Sequence, residues 1–158
     1  MALAQAVRLG GAGEKMHDEL LRPTMGGRSA SGREPWRPSS IGYPAFLGGP
    51  LTAAVLGIIN GRRLGLDAER LVAIGLAGLF AFAVRVAMSP QATDFFEVRW
   101  FGGLAGVLVW LLVLAMQRKP FRAFLLGRAE PARLFGPGFA ALTGCGLLEL
   151  GVIYGLAR

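Results

Sequence analysis

The sequence predicts an all-α fold, an integral membrane bundle of four transmembrane helices behind a polar, partly disordered N-terminal tail. Three observations carry that prediction. Of the 158 residues, 53% are hydrophobic and 17% are charged, where a soluble domain carries about 25% charge. The apolar residues form long blocks rather than amphipathic repeats, and the mean hydropathy is +0.49. The basic residues flank those blocks, at Arg62, Arg63, Arg70, Arg118, Lys119, Arg122, Arg128 and Arg133. A net charge of +7 on a soluble domain would point to nucleic acid. In this placement it reads as topology signals and contacts to the lipid bilayer, and no nucleic-acid partner is expected.

Residues 1–40 form the tail. Ala2 to Leu21 has a weak apolar side interrupted by Gly10, Gly11 and Gly13. Thr24 to Ser40 has the Gly, Ser, Pro and Arg content of a disordered linker, with Trp36 dipping into the membrane interface. Glu14, Lys15, Asp18 and Glu19 interrupt any secretory-signal core, so the first span is expected to direct insertion.

Residues 41–158 form the membrane domain, with spans expected at 43–60, 71–88, 100–117 and 138–157. Each approaches the ~20 residues that cross a ~30 Å hydrocarbon core. The first, YPAFLGGPLTAAVLGIIN, is uncharged but holds a break at Gly48, Gly49 and Pro50. Inside a continuous helix Pro50 would free the Phe46 carbonyl. Such a break makes either a discontinuous helix whose freed backbone groups hold a substrate, or a kinked or late-starting helix with a close neighbour. The second reading is preferred, because no other span has a matching break. Ser89-Pro90 ends the second span. Gly102 and Gly106 open the third, and Gly151 and Gly155 close the fourth. Pro120 is expected to open a short surface helix that places Phe121, Phe124 and Leu125 against lipid.

Four spans put the linkers 61–70 and 118–137 on one side, with eight Lys or Arg residues. The N-tail, the 89–99 linker and Arg158 share the other, also with eight, or five without the distant Arg8, Lys15 and Arg22. That balance favours both termini outside the cytoplasm. Tyr43, Phe46, Phe95, Phe96, Trp100, Phe101 and Tyr154 would form an aromatic belt on the N-tail side.

Arg85 and Glu149 are the ionisable residues well inside the spans, and an intramembrane charge costs about 2.5–3.5 kcal/mol. Arg85 lies ~21 Å from Leu71 and Glu149 ~17 Å from Gly138 along their helices, so their depths agree within a turn. Ala73, Ala77 and Ala81 precede Arg85 on one strip, as Ala141 and Cys145 precede Glu149. Small strips are where membrane helices approach closely. An Arg85–Glu149 ion pair that fixes helix pairing is therefore expected. The alternative is a polar path for an ion or small solute.

Catalytic patterns are missing. His17 is the sole histidine and sits in the polar tail, while Cys145 is the sole cysteine and sits in an apolar block. There is no HExxH, CxxC, P-loop or GxSxG. No catalytic residue, metal or cofactor is expected.

The segment FLGGPL, followed by Asn60 and by Arg63, Leu64 and Gly65, resembles the first span of uncharacterised small bacterial membrane proteins. Phe46, Leu47, Gly48, Gly49, Pro50 and Leu51 match their FLGGPLAG-like pattern, and Thr52 replaces the more usual Ala. The resemblance covers about 20 residues and implies multi-span architecture without an activity. Together these readings point to a non-enzymatic, multi-pass protein of a bacterial inner membrane. It would pack with copies of itself or with a membrane-protein partner, and the alternative is a small transporter or channel component.

Overall fold

Gly49 divides the first apolar stretch into two helices. The computed structural model describes residues 33–88, 95–127 and 130–156. A 3-10 turn, Pro38–Ile41, leads into α1 (Gly42–Gly48) and then α2 (Pro50–Arg63). Three longer helices follow, α3 (Ala68–Met88), α4 (Phe95–Leu126) and α5 (Phe135–Leu156). No strand occurs among the described residues. The predicted helix over Ala2 to Leu21 and His17 lie outside the described residues, as do Ser89, Pro90 and Arg158.

The chain turns back on itself at Gly49. Trp36, six residues before α1, donates its N–H to Asn60 Oδ1 at 2.7 Å, although Asn60 is near the far end of α2. A straight helix over 42–60 alone would separate its ends by ~27 Å. The neighbouring helices record the same reversal. Along α4, Gly106 meets Ala45 and Gly49, Trp110 meets Gly42, and Val113 meets Gly57. Residue numbers on α1 therefore fall, and those on α2 rise, in the same direction. The 3-10 turn with α1 rises ~18 Å and α2 ~21 Å, so the two arms match in length. The result is a re-entrant hairpin with its tip at Gly48, Gly49 and Pro50.

Among the described residues, three helices are long and apolar enough to cross a membrane: Ala68–Met88, Arg99–Leu126 and Phe135–Gly155. The expected first span, 43–60, is not a fourth such helix but the hairpin. Its physical cause is local. Gly49 has φ +86° and ψ −172°, a backbone that ends α1, and Pro50 starts α2, where a missing N–H costs nothing. Gly65, at φ +71°, ends α2 in the same left-handed way.

The hairpin is the core around which the long helices stand. Ile41, Ala45, Ala53 and Leu56 are buried, together with Ile74, Val109 and Val113. On α3 the buried line runs Ile74, Gly78, Arg85, with Ala73, Ala77 and Ala81 half-buried beside it. Outward, the helices present bare apolar side chains, with Leu76 61%, Phe80 73%, Leu108 67% and Leu147 71% exposed. A monomer in water does not leave a surface of that size uncovered.

Three further expectations change. Residues 33–40, read as the end of a disordered linker, pack onto the hairpin base. Trp36 is 2% exposed, and Arg63 lies over its ring at 3.9 Å. Burial, and then the charge of Arg33, lower the Arg63 pKa below its ordinary value. Pro120 does not open a new helix, because α4 runs through it to Leu126. Phe124 is buried, so the turn beyond the proline is held by packing that offsets the lost hydrogen bond. The aromatic belt also divides. Phe46, Phe96 and Trp100 form edge-to-face pairs, each at 5.9 Å, whereas Tyr43 lies beside Gly138 nearer the hairpin base.

A buried polar clasp closes that base. Asn60 Nδ2 donates to the Trp36 carbonyl at 3.1 Å and to Gln117 Oε1 at 2.7 Å. Gln117 Nε2 donates in turn to the Gly57 carbonyl at 2.6 Å. Asn60 and Gln117 are both fully buried, and replacing Asn60 strands groups that cost about 1–3 kcal/mol each when unpaired. Asn60→Leu should lower stability by about 3 kcal/mol. It should also speed trypsin cleavage after Arg33 at least ~tenfold, as the clasped segment that follows it opens more often. Cleavage at the wild-type rate would show that the clasp does not hold the tail.

Candidate functional site

Three elements converge at the hairpin tip. Proline at position 50 has no N–H to give, so Leu51 supplies the first free donor at the start of α2. It donates to Glu149 Oε1 at 2.8 Å. The carboxylate thereby caps α2 from another helix, where the positive end of the dipole favours it. Arg85 Nη1 donates to the second oxygen, Glu149 Oε2, completing a buried ion pair. Glu149 is 0% and Arg85 9% exposed.

Glycines make room for these charges. Gly49 sits against the Glu149 carboxylate and the Arg85 guanidinium, and Gly102 lies against the other side of that guanidinium. Gly106 meets the Ala45 carbonyl and Gly49. The Gly102–Gly106 pair thus admits the hairpin tip and the ion pair rather than one more straight helix. A side chain added at Gly151 or Gly155 would meet no neighbouring element within 4 Å among the described residues, so this pair takes no part. Thr52 Oγ1 donates to the Gly48 carbonyl at 2.9 Å, so the residue that departs from the FLGGPLAG-like pattern satisfies the last carbonyl of α1. Cys145, half-buried, lies one turn before Glu149.

The sequence-predicted residues Gly48, Gly49, Pro50, Arg85 and Glu149 therefore meet at one place. Read from the sequence they were two separate features, a break and a pair. The arrangement is chemically self-contained: one cation, one anion and one helix N-terminus neutralise each other. Arg85 Nε finds no acceptor among the described residues. Beside it lies a cavity of about 30 Å³, space for about one water. No group of three or more metal-ligating side chains occurs among the described residues.

Nothing among protein-family models, curated proteins or solved structures matches this chain.

Proposed function

We propose that the chain is an integral membrane protein of three passes with a re-entrant hairpin, and that its role is structural or partner-binding rather than catalytic. The observation that carries this reading is the closed tip. Its two interior charges are spent on each other and on the Leu51 N–H, which leaves, among the described residues, only the Arg85 Nε–H without a partner. What remains for recognition is the apolar outer surface of α3, α4 and α5, facing lipid and partner helices. The transport alternative draws no support from a fully buried Glu149 beside a cavity of about 30 Å³.

The charge map supports three passes. With the hairpin folded back, residues 1–37, 62–70 and 118–133 share one side and hold fourteen of the 17 Lys and Arg residues. The other side keeps Arg99 and Arg158, beside Asp94 and Glu97. Eight against eight becomes fourteen against two. The positive-inside rule then places the hairpin base and N-terminus in the cytoplasm and the C-terminus outside, in a bacterial inner membrane on this reading. Because FLGGPL forms the tip, proteins that share the segment are proposed to share the turn.

Cysteine labelling tests the topology. In a Cys145→Ala background, Glu34→Cys and Asp67→Cys should both react from the cytoplasmic side alone. Reaction from opposite sides would restore four spans and end the hairpin reading. For the role, proteoliposomes loaded with a pH-sensitive dye should leak no faster than protein-free vesicles. A proton leak that Glu149→Gln abolishes would establish the transport alternative instead.

A further inference from the structure

A second, larger cavity lies away from the ion pair, where the hairpin base meets the start of α5. Its volume is about 590 Å³, and its walls include Arg37, Ser40, Tyr43, Glu130, Arg133 and Phe135. That volume falls within the ~300–1,000 Å³ typical of small-ligand sites. The walls are divided in character. Arg37, Glu130 and Arg133 bring charge, and none of the three is engaged in an ion pair among the described residues. Tyr43, 47% exposed, and Phe135, 79% exposed, bring aromatic surface at the level where α5 begins its apolar run.

We propose that this cavity binds the headgroup of a membrane phospholipid carrying a phosphate and a primary ammonium. Arg37 and Arg133 take the phosphate through charge-assisted hydrogen bonds, the geometry guanidinium groups favour. Glu130 faces the ammonium, and Tyr43 and Phe135 lie along the first carbons of the acyl chains. Two cations and one anion around one cavity match a zwitterionic headgroup better than a purely anionic one. Basic pockets on the cytoplasmic side of membrane proteins hold lipid phosphates, and Glu130 adds the partner that an ammonium requires. The proposal rests on the membrane reading above and adds a ligand to it.

Native mass spectrometry of the detergent-purified full chain provides the test, with phosphatidylethanolamine and phosphatidylglycerol as probes. Wild type should retain phosphatidylethanolamine in preference. Arg37→Gln with Arg133→Gln should cut its occupancy about tenfold, as expected for two lost charge-assisted contacts. Glu130→Gln should erase the preference between the two lipids, a readout that does not depend on total binding. Arg122→Ala, which removes an exposed charge elsewhere, should change neither. Unchanged occupancy in the double variant, equal loss with Arg122→Ala, or a wild-type preference for phosphatidylglycerol would each overturn the site. So would displacement of the lipid by millimolar inorganic phosphate, which would mark a free-phosphate site instead. A wild type without lipid selectivity but with the cysteine-labelling pattern intact refutes the lipid site alone, whereas a protein that carbonate strips from membranes refutes both readings.

Discussion

Gly49→Ala is expected to cost about 3–5 kcal/mol, enough to deplete the protein from the membrane. Two effects add. A backbone at φ +86° and ψ −172° is essentially closed to any residue with a Cβ, and forcing one there costs about 1–3 kcal/mol. The new methyl would also collide with the Glu149 carboxylate and lie 2.8 Å from Arg85 Nη1. Relief of that collision means pulling apart an ion pair whose two side chains are almost fully buried. Gly144→Ala serves as the control, since its methyl would meet no neighbouring element within 4 Å among the described residues, and it should melt with the wild type. Thermal unfolding in detergent and the steady-state amount in membranes are the two measurements. If Gly49→Ala melts alongside Gly144→Ala, the tip does not turn at Gly49.

Much of the architecture is legible in the apolar blocks. Residues 71–88, 100–117 and 138–156 fall inside α3, α4 and α5, because about 20 predominantly apolar residues leave a chain in lipid few options besides a helix. The hairpin is harder to read. A stretch of 24 uncharged residues between Arg37 and Arg62 satisfies the length rule for a span whether it crosses or returns. Hydropathy reports solvent, not direction. The sign that was available lay in polar residues rather than apolar ones. Asn60 and Gln117 are amides at the ends of two apolar blocks, and each needs buried partners that one crossing helix could not supply. The Trp36 backbone meets that need, which a Gly-, Ser- and Pro-rich composition concealed.

The charge balance was a second sign. A protein with eight basic residues on each side has no defined orientation under the positive-inside rule. Read as an inconsistency rather than as a weak preference, that tie argues against the span count. Folding residues 43–60 back removes the tie without moving a single charge in the sequence. The break at Gly48, Gly49 and Pro50 and the charges at Arg85 and Glu149 then become one site for a simple reason. A turn buried in lipid exposes a helix N-terminus, whose free N–H groups require acceptors. Glu149 is that acceptor, and Arg85 neutralises it.

The shared duty of Glu149 sets the second large effect. Glu149→Leu should cost about 3–5 kcal/mol, because it leaves the Arg85 guanidinium buried without a counter-charge and the Leu51 N–H without an acceptor. Arg85→Met should cost less, since the Leu51 N–H and the α2 N-terminus still hold the carboxylate. Combining Arg85→Met with Glu149→Leu removes both charges, and the double variant should be more stable than Glu149→Leu alone. It should still fall short of wild type by the ~1–3 kcal/mol of an unpaired Leu51 N–H. Exchanging the charges, with Arg85→Glu and Glu149→Arg together, should rescue nothing, because it sets a guanidinium against the positive end of α2. That asymmetry separates this site from an isolated ion pair, which tolerates exchange. Melting temperatures of the four variants in one detergent decide between them. Additive losses in the apolar double variant would mean that Arg85 and Glu149 act independently, and rescue by exchange would mean that the α2 cap contributes nothing.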